Sequence, residues 1–277
     1  MHIPVLQEKV LEYLNPKPNE NFIDATFGEG GHSRAILERI KPKGKLLAIE
    51  IDPVLYKENK KRISKGILLV NDSYINLEKI VKEKKFKNVA GILFDLGLSS
   101  WHLEDSGRGF SFRKEEPLDM RYNPMGLITA EKLINYSSKF EIERILKEYG
   151  QEKKARKIAE IIIERRRYSP IKTTKQLVEI TRKVNVHPKR TFQAFRIAVN
   201  NELNNLKIVL PQALKILKIG GRLVIISFHS LEDRIVKNFF RESFQKGLLR
   251  VLTKKPIQPS KEEIKLNPRS RSAKLRA

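Results

Sequence analysis

The first hundred residues alternate between short apolar runs and segments with helical periodicity. The apolar runs predict strands over 21–26, 45–51, 67–70 and 91–96. The periodic segments between them predict helices over 33–40, 54–65 and 75–84. Apolar runs without polar alternation are typical of strands buried on both faces of a parallel sheet, which helices cover. The pattern therefore predicts an α/β fold with a doubly wound, mainly parallel sheet.

Helical periodicity dominates the middle of the chain, and strand character returns near its end. Helices are predicted over 140–149, 152–167, 174–184 and 190–217. Thr173, with Gln176 three residues later, has the spacing of a capping box at the start of the third of these. A strand is then predicted over 222–228, a helix over 231–240, and a short apolar run follows at 248–253.

The economical interpretation is an α/β core interrupted by an inserted domain. The core comprises residues 1–102 and 206–277, and residues 103–205 form an inserted loop and helical domain that binds the substrate. The last segment, 267–277, has no core-forming pattern, so we expect it to dock on a surface or on the partner.

Periodicity is lost over residues 101–125, a Gly- and charge-rich stretch. A loop of this length is usually functional or disordered. Aromatic residues interleaved with arginines favour an ordered, substrate-binding loop over a disordered one. The residues of this kind are Trp101, Arg108, Phe110, Phe112 and Arg113.

The charge balance points to a polyanionic partner. The 277 residues include 56 Lys and Arg against 32 Asp and Glu, a formal net charge of +24. Nineteen of these excess charges lie in two blocks, 144–196 and 241–277, and the first block contains Arg165, Arg166 and Arg167. Nucleic acid is the leading partner and an acidic membrane surface the second. The alternative is that lysine-rich helices are merely solvated faces in a heat-adapted protein.

Cysteine content and apolar run lengths exclude several classes of protein. The chain contains no cysteine, which excludes disulfides, thiolate zinc sites and cysteine nucleophiles. No metal site is predicted. No window resembles a membrane span or a secretory signal, so we expect a cytoplasmic protein.

A glycine-rich turn follows the first predicted strand, and acidic residues follow others. The turn holds Gly30 and Gly31, where a backbone without Cβ can approach a ligand at a helix N-terminus. Ser33 occupies the position of the third glycine in the NAD fingerprint, which disfavours a dinucleotide. Glu50 ends the second predicted strand and Asp95 lies in the fourth, at the edge where ligands of open parallel sheets bind. This turn resembles the S-adenosylmethionine site of class I methyltransferases.

Motifs spread from residue 2 to the end of the chain carry a closer resemblance. They are HIPVL at 2–6, DATFGEGGHS at 24–33, DLGLSS at 95–100, GRGFSF at 107–112, PLDMR at 117–121, FQAFRIAVNNEL at 192–203, SFHSLEDR at 227–234 and NPRSRSAKLR at 267–276. Together they resemble the RsmH (MraW) family. The resemblance implies an S-adenosylmethionine-dependent methyltransferase that modifies the exocyclic N4 of a cytidine in the decoding region of bacterial 16S rRNA, within the small ribosomal subunit. It also implies a Rossmann-like core with an inserted helical domain.

The resemblance also implies cofactor contacts. It places the methionine end at Gly30, Gly31 and His32. Three further contacts fall where this chain departs from the family: Glu50 replaces the usual Asp that holds the ribose, Tyr74 stands for an aromatic, commonly Phe, beside the adenine, and His102 replaces Gln. The longer side chain of Glu50 leaves Asp52 as a rival for the ribose. Asp95 completes the predicted set.

The sequence offers several residues that could accept a hydrogen bond from the amine of the cytosine substrate. The cytosine amine needs a positioned hydrogen-bond acceptor before it can attack the sulfonium methyl. Asp95 is the leading acceptor; alternatively it contacts the cofactor, and Ser99, Ser100 or His229 lies near the amine. His229 is equally well interpreted as a satisfied core histidine. Methylation at carbon 5 of cytosine needs a cysteine and is therefore excluded.

The base must leave its stack to reach this site, and aromatic residues of the 101–125 loop are candidates to receive it. These are Trp101, Phe110 and Phe112, for which ordinary core packing is the alternative. Two other functions compete with the methyltransferase: a nicotinamide-dependent oxidoreductase and a non-catalytic ribosome-assembly factor. The sequence leaves the oligomeric state open, including a homodimer.

Overall fold

The structure, a computed structural model, describes residues 4–277. It separates into two compact units. The sheet unit comprises Met1–Gly97 and Leu203–Ala277, and the helical unit comprises Leu98–Glu202. These boundaries lie a few residues before those predicted from the sequence, at 102/103 and 205/206.

The elements follow one another largely as the hydrophobic pattern predicts. The strands are β1 (Asn21–Asp24), β2 (Leu46–Glu50), β3 (Ile67–Asn71), β4 (Val89–Asp95), β5 (Leu217–Ser227) and β6 (Lys274–Arg276). The helices are α1 (Gln7–Leu14), α2 (Gly31–Ile40), α3 (Pro53–Lys60), α4 (Leu77–Glu83), α5 (Ser100–Glu104), α6 (Ala130–Tyr136), α7 (Lys139–Glu148), α8 (Ala155–Tyr168), α9 (Thr174–Lys183), α10 (Lys189–Asn200), α11 (Glu202–Ile216), α12 (Ser230–Gln245) and α13 (Lys261–Leu266). Short 3₁₀ turns lie at Tyr74–Asn76 and Pro268–Ser272. Within residues 4–277, none of the helices combines the length and apolarity needed to cross a membrane.

One six-stranded sheet has the order β3-β2-β1-β4-β5-β6. Its first five strands are parallel, and β6 pairs antiparallel with β5. The α/β fold class with a mainly parallel sheet is thus confirmed. The order in which strands are added to the sheet reverses between β1 and β4. The carboxyl ends of β1, β2 and β4 therefore lie next to one another at this switch point, where doubly wound folds bind ligands.

Both faces of the sheet are buried, as the unbroken apolar runs indicate. Phe22 and Leu46 point to the face that also packs residues of α1 and α2. Their chain neighbours Ile23 and Leu47 point to the opposite face, against residues of α4, α11 and α12. Side chains alternate between faces along a strand, so only a strand apolar at every position can serve both layers.

The helical unit contains α5 to α10, and short polar side chains fix several helix starts. Thr129, Ser138 and Thr173 cap α6, α7 and α9 by accepting backbone N–H groups. The capping box of Thr173 with Gln176 is confirmed. The stretch 190–217 is helical as predicted, but it consists of two helices, because Asn201 adopts a left-handed φ of 50° between α10 and α11. Asn tolerates this conformation better than most residues.

Two other expectations are corrected by the structure. Residues 101–125 are not without regular structure, because α5 begins at Ser100. The second concerns the end of the chain. The apolar run 248–253, for which no element was predicted, lies outside the helices and strands, and its Leu249 and Val251 pack against the core.

The end of the chain does not dock as an unstructured tail: β6 pairs with β5, and Leu275 is fully buried. Arg276, 8% exposed, donates from Nε to Asp233 Oδ1 at 2.6 Å. A core strand of three residues carries too few positions to show a period, which explains why the pattern missed it.

Candidate cofactor-binding site

Three carboxylates lie at the carboxyl edge of the sheet. Asp24 ends β1, Glu50 ends β2 and Asp95 ends β4. Asp24 and Glu50 are buried, at 1% and 5% exposure. Because these strands are neighbours, their side chains and the turn after β1 surround one crevice.

The turn after β1 requires glycine at two successive positions. Gly30 has a φ of 74°, and a Cβ there would lie 2.6 Å from the ring of Phe27. A Cβ on Gly31 would lie 2.4 Å from Cγ of Pro4. α2 starts at Gly31, and its N-cap, Gly30, provides no side-chain acceptor. The first amides of α2 therefore lie in a turn that a ligand's anionic group can approach closely.

Glu50 faces this turn and holds it in place. Its Oε2 accepts from the N–H of Gly28 at 3.0 Å, and its Oε1 accepts from the N–H of Asp52 at 2.8 Å. Burial raises the pKa of Glu50 to about 8, although the two backbone donors oppose the rise.

Asp52, the rival for the ribose, is occupied in a different way. Its Oδ1 accepts from the N–H groups of Val54 and Leu55, at 2.9 and 3.4 Å, so it is the N-cap of α3. An N-cap side chain satisfies helix amides that would otherwise lack a partner. Of the two carboxylates, Glu50 is therefore the one directed toward the glycine turn.

His32 and Asp95 form the polar centre of the crevice. Nε2 of His32 lies 3.6 Å from Oδ2 of Asp95, and the backbone N–H of Asp95 donates to Oγ1 of Thr26 at 2.7 Å. Burial disfavours a charge on His32, but the nearby carboxylates of Asp95, Asp24 and Glu263 together more than offset this, so the pKa of His32 is raised. Asp24 behind it accepts from Oγ of Ser33 at 2.6 Å, and burial raises the pKa of Asp24.

Two further predicted residues of the sheet unit have defined positions. Tyr74 follows β3 and meets the ring of Phe94 edge-on, with centroids 5.8 Å apart. His229 is the N-cap of α12, and its Nδ1 accepts from the N–H of Glu232 at 3.4 Å in a capping box. The cap supports a structural role for His229.

The remaining predicted residues lie in the helical unit, several of them in an aromatic cluster. His102 is 5% exposed, and its ring lies 5.2 Å from the rings of both Phe110 and Tyr122. Nδ1 of His102 is 2.7 Å from Oγ of Ser99, the N-cap of α5. Phe110 stacks on Tyr122 and is 5% exposed. Phe110 is thus a core residue, the alternative that the sequence left open.

Around this cluster the other loop residues are half-buried or exposed. The guanidinium of Arg108 lies 5.2 Å from the ring of Trp101 and also donates to the carbonyls of Arg121 and Tyr122. Phe112 meets the rings of His187 and Phe192 edge-on. Ser100 is the first residue of α5, and Arg113 is exposed.

The predicted arginine cluster lies at the end of α8, and its members differ. Arg165 pairs with Glu179 at 3.0 Å. Arg166 donates from Nη1 to the carbonyl of Ile134 at 2.7 Å. Arg167 is exposed to solvent. One member of the cluster therefore has an ion partner and a second has a structural hydrogen bond.

Sequence reasoning missed one contact beside the crevice. Glu263, on α13, accepts from the N–H of Leu6 at 2.6 Å and lies close enough to His32 to favour its charged form. Leu6 has a left-handed φ of 54°, which is rare for a bulky residue. The two residues are 257 positions apart, so no local signal in the sequence could have found the pair.

Comparisons with known proteins identify the family of this chain. The model of the MraW methylase family matches residues 1–277. A ribosomal RNA small subunit methyltransferase H from Heliobacterium mobile is 45% identical, covering 99% of this chain and 97% of that protein. One from Thermotoga neapolitana is 47% identical, covering 100% and 95%. A solved structure of a putative rRNA methylase from Clostridium thermocellum aligns with a TM-score of 0.45 at 13% identity, covering 100% of this chain and 97% of that one. The chain belongs to the MraW methylase family.

Proposed function

We propose that this protein transfers the methyl group of S-adenosylmethionine to the exocyclic N4 of a cytidine in bacterial 16S rRNA of the small ribosomal subunit. The observation that carries the proposal is the identity of 45–47% over nearly the full length of relatives named as ribosomal RNA small subunit methyltransferases. The crevice at the carboxyl edge of the sheet supplies the chemistry that such an activity needs.

The residues of the crevice fit S-adenosylmethionine. Asp95 Oδ1 and both ring nitrogens of His32 are buried without a hydrogen bond to any described residue. Buried polar atoms of this kind are costly unless a ligand or water satisfies them. In the proposed complex, Glu50 accepts from the ribose hydroxyls, the amides that follow Gly30 and the His32 ring hold the methionine end, and Tyr74 lies beside the adenine. The bound cofactor supplies an electrophilic methyl group on its sulfonium.

Asp95 is the proposed acceptor for the cytosine amine. The lone pair of that nitrogen is delocalised into the ring, so attack requires its hydrogens to be drawn toward a fixed oxygen. The backbone N–H of Asp95 donates to Oγ1 of Thr26, which holds in place the end of β4 that carries the carboxylate. Ser99 and Ser100 remain alternatives, whereas the cap formed by His229 leaves that residue a structural role. The absence of cysteine directs the reaction to nitrogen rather than to carbon 5.

The partner and location follow from the same proposal. The excess of 24 positive charges suits an RNA substrate, because contacts to phosphates supply affinity without specificity for the base. We place the reaction in the bacterial cytoplasm, where small ribosomal subunits are found. The proposed reaction needs only one copy of the chain, and a homodimer stays a prediction.

The decisive experiment incubates the protein with immature small subunits and methyl-labelled S-adenosylmethionine, followed by mass spectrometry of the nucleosides. We expect label in N4-methylcytidine at one position. Label in a 5-methyl base, or no transfer at all, would contradict the proposal, and the second outcome would favour a non-catalytic assembly factor. Calorimetry with NADH tests the oxidoreductase alternative, for which we expect no binding.

A further inference from the structure

Three aromatic side chains of the helical unit are exposed to solvent. Tyr136 is 83% exposed, Phe140 is 76% exposed and Tyr168 is 87% exposed. Large aromatic residues dominate cores and interfaces because they bury so much area. Three of them left in water at the ends of helices are therefore candidates for contact with a partner.

Hydrogen bonds bring the segments that carry these rings together. Asn135, next to Tyr136, accepts from the N–H of Ile171 at 2.9 Å and donates to its carbonyl at 2.8 Å. Ile171 lies three residues after Tyr168. The Arg166 bond to the carbonyl of Ile134 also ties the end of α8 to the end of α6.

Phe140 belongs to the same region through its neighbour. Lys139, the first residue of α7, donates from Nζ to Glu160 Oε1 on α8 at 2.8 Å. Glu160 and Tyr168 are both on α8, eight residues or a little over two turns apart. We call Tyr136, Phe140 and Tyr168, with Arg167, the aromatic-arginine patch.

The charge around the patch selects among partners. The segment 144–196, which contains the second half of α7 and all of α8, has a net charge of +11, and Arg167 beside Tyr168 is exposed. Glu160 is paired with Lys139 and Arg156, and Glu141, next to Phe140 in the chain, is paired with Arg144. Exposed rings beside arginine are the combination that binds single-stranded nucleic acid, because bases stack on the rings while cations meet the phosphates.

We propose that the aromatic-arginine patch binds an unpaired strand of RNA by stacking bases on Tyr136 and Tyr168. The inference deepens the proposed function, since it names a contact with the RNA substrate outside the cofactor crevice. Such a contact holds the substrate by single-stranded segments and takes no part in the chemistry.

The test measures binding of a fluorescent, unstructured oligonucleotide of adenosine and cytidine, about ten nucleotides long, over a range of salt concentrations. Loss of one stacked base costs about 1–3 kcal/mol, so Tyr168→Leu and Tyr136→Leu are each expected to weaken binding about 5- to 150-fold. Tyr168→Phe keeps the ring and is expected to bind as wild type. Arg167→Gln is expected to lower the slope of log affinity against log salt by about 0.7, whereas the Leu variants leave the slope unchanged.

Matched controls separate stacking from other effects. Phe244→Leu removes a ring that is 56% exposed on α12, in the sheet unit, and should not change binding. Because all substituted rings are exposed, we expect unchanged melting temperatures. A duplex of the same length should bind equally to wild type and to the Leu variants, since its bases are already stacked.

Several results would overturn the inference. Wild-type affinity of both Leu variants, or equal weakening for Phe244→Leu, would remove the patch from RNA binding. If the Leu variants bind the oligonucleotide normally but lose affinity for whole small subunits, the patch contacts ribosomal protein instead. Methyl transfer by the wild type is measured alongside: its absence contradicts the proposed function, whereas unchanged oligonucleotide binding by the variants contradicts only this inference.

Discussion

The burial of Glu50 predicts that this carboxyl releases a proton when S-adenosylmethionine binds. In the free protein the pKa of Glu50 is about 8, because burial of its carboxyl outweighs the two N–H donors. Ribose hydroxyls that donate to the carboxylate favour its charged form, so binding should lower this pKa. At pH 7 a group with a pKa of 8 is only about one-tenth ionised, and affinity is reduced by that fraction. From Glu50 alone we therefore expect S-adenosylmethionine to bind about tenfold more weakly at pH 7 than at pH 9, a difference of about 1.4 kcal/mol.

Titration calorimetry at pH 6, 7, 8 and 9, in buffers of different ionisation enthalpy, measures both the affinity and the proton count. About 0.9 proton should be released for each cofactor bound at pH 7. His32 acts in the opposite direction: its raised pKa keeps it charged toward neutral pH, where it attracts the methionine carboxylate, and that attraction is lost as the pH rises. The comparison with Glu50→Gln isolates the contribution of Glu50, because His32 is common to both proteins.

Glu50→Gln should bind nearly as wild type at pH 6 and much more weakly at pH 9. Glu58→Gln, an exposed carboxyl of α3, is the control and should follow the wild type throughout. Glu50 also affects the free energy of unfolding. Its pKa is about 8 in the folded protein, against 4.5 for an ordinary Glu, so the folded state keeps a proton that the unfolded chain has lost between these pH values. The free energy of unfolding therefore falls as the pH rises from about 4.5 to 8. Glu50→Gln should not show that loss. Equal affinities of wild type and Glu50→Gln at every pH, with no proton released, would refute the reasoning.

Three other variants test the site and the fold. Asp95→Ala removes the acceptor and should abolish methyl transfer while leaving the melting temperature nearly unchanged; wild-type turnover would remove Asp95 as acceptor. Glu263→Ala should weaken cofactor binding, because the segment at Leu6 loses its acceptor. Glu263→Gln keeps an acceptor and should bind the cofactor better than Glu263→Ala. Equal binding by the two variants would contradict this role of Glu263. Arg276→Ala leaves a largely buried carboxylate without its main partner and should cost about 3 kcal/mol by urea denaturation; a loss below about 0.5 kcal/mol would show that the pair contributes little.

The sequence predicted most of the sheet because each central strand is apolar at consecutive positions. β1, β2 and β4 were found within a few residues of their ends for that reason. β6 and the break at Asn201 escaped because they depend on pairing and on a single backbone angle, not on a repeated pattern. Short elements have too few positions for periodicity to outweigh chance.

The candidate site was predictable in its location but not in its detail. The glycine turn and the strand ends located the crevice, since both depend on local residue types. Glu50 and Asp52 could not be separated from spacing alone, because they are two positions apart and both acidic. The choice depends on which carboxylate caps α3, and the structure assigns that cap to Asp52. The Glu263 bond to Leu6 depends on tertiary structure alone.

The count of 56 Lys and Arg residues overstates the number of cations free to meet RNA phosphates. In the final strand, Arg276 and Lys274 both contact Asp233, at 2.6 and 3.4 Å. At the end of α8, Arg165 is paired with Glu179. A buried pair such as Arg276 with Asp233 cannot exchange its partner for a phosphate without leaving a carboxylate uncompensated. The salt dependence of RNA binding should therefore be shallower than the charge count suggests, because it reports only the cations that gain a phosphate on binding.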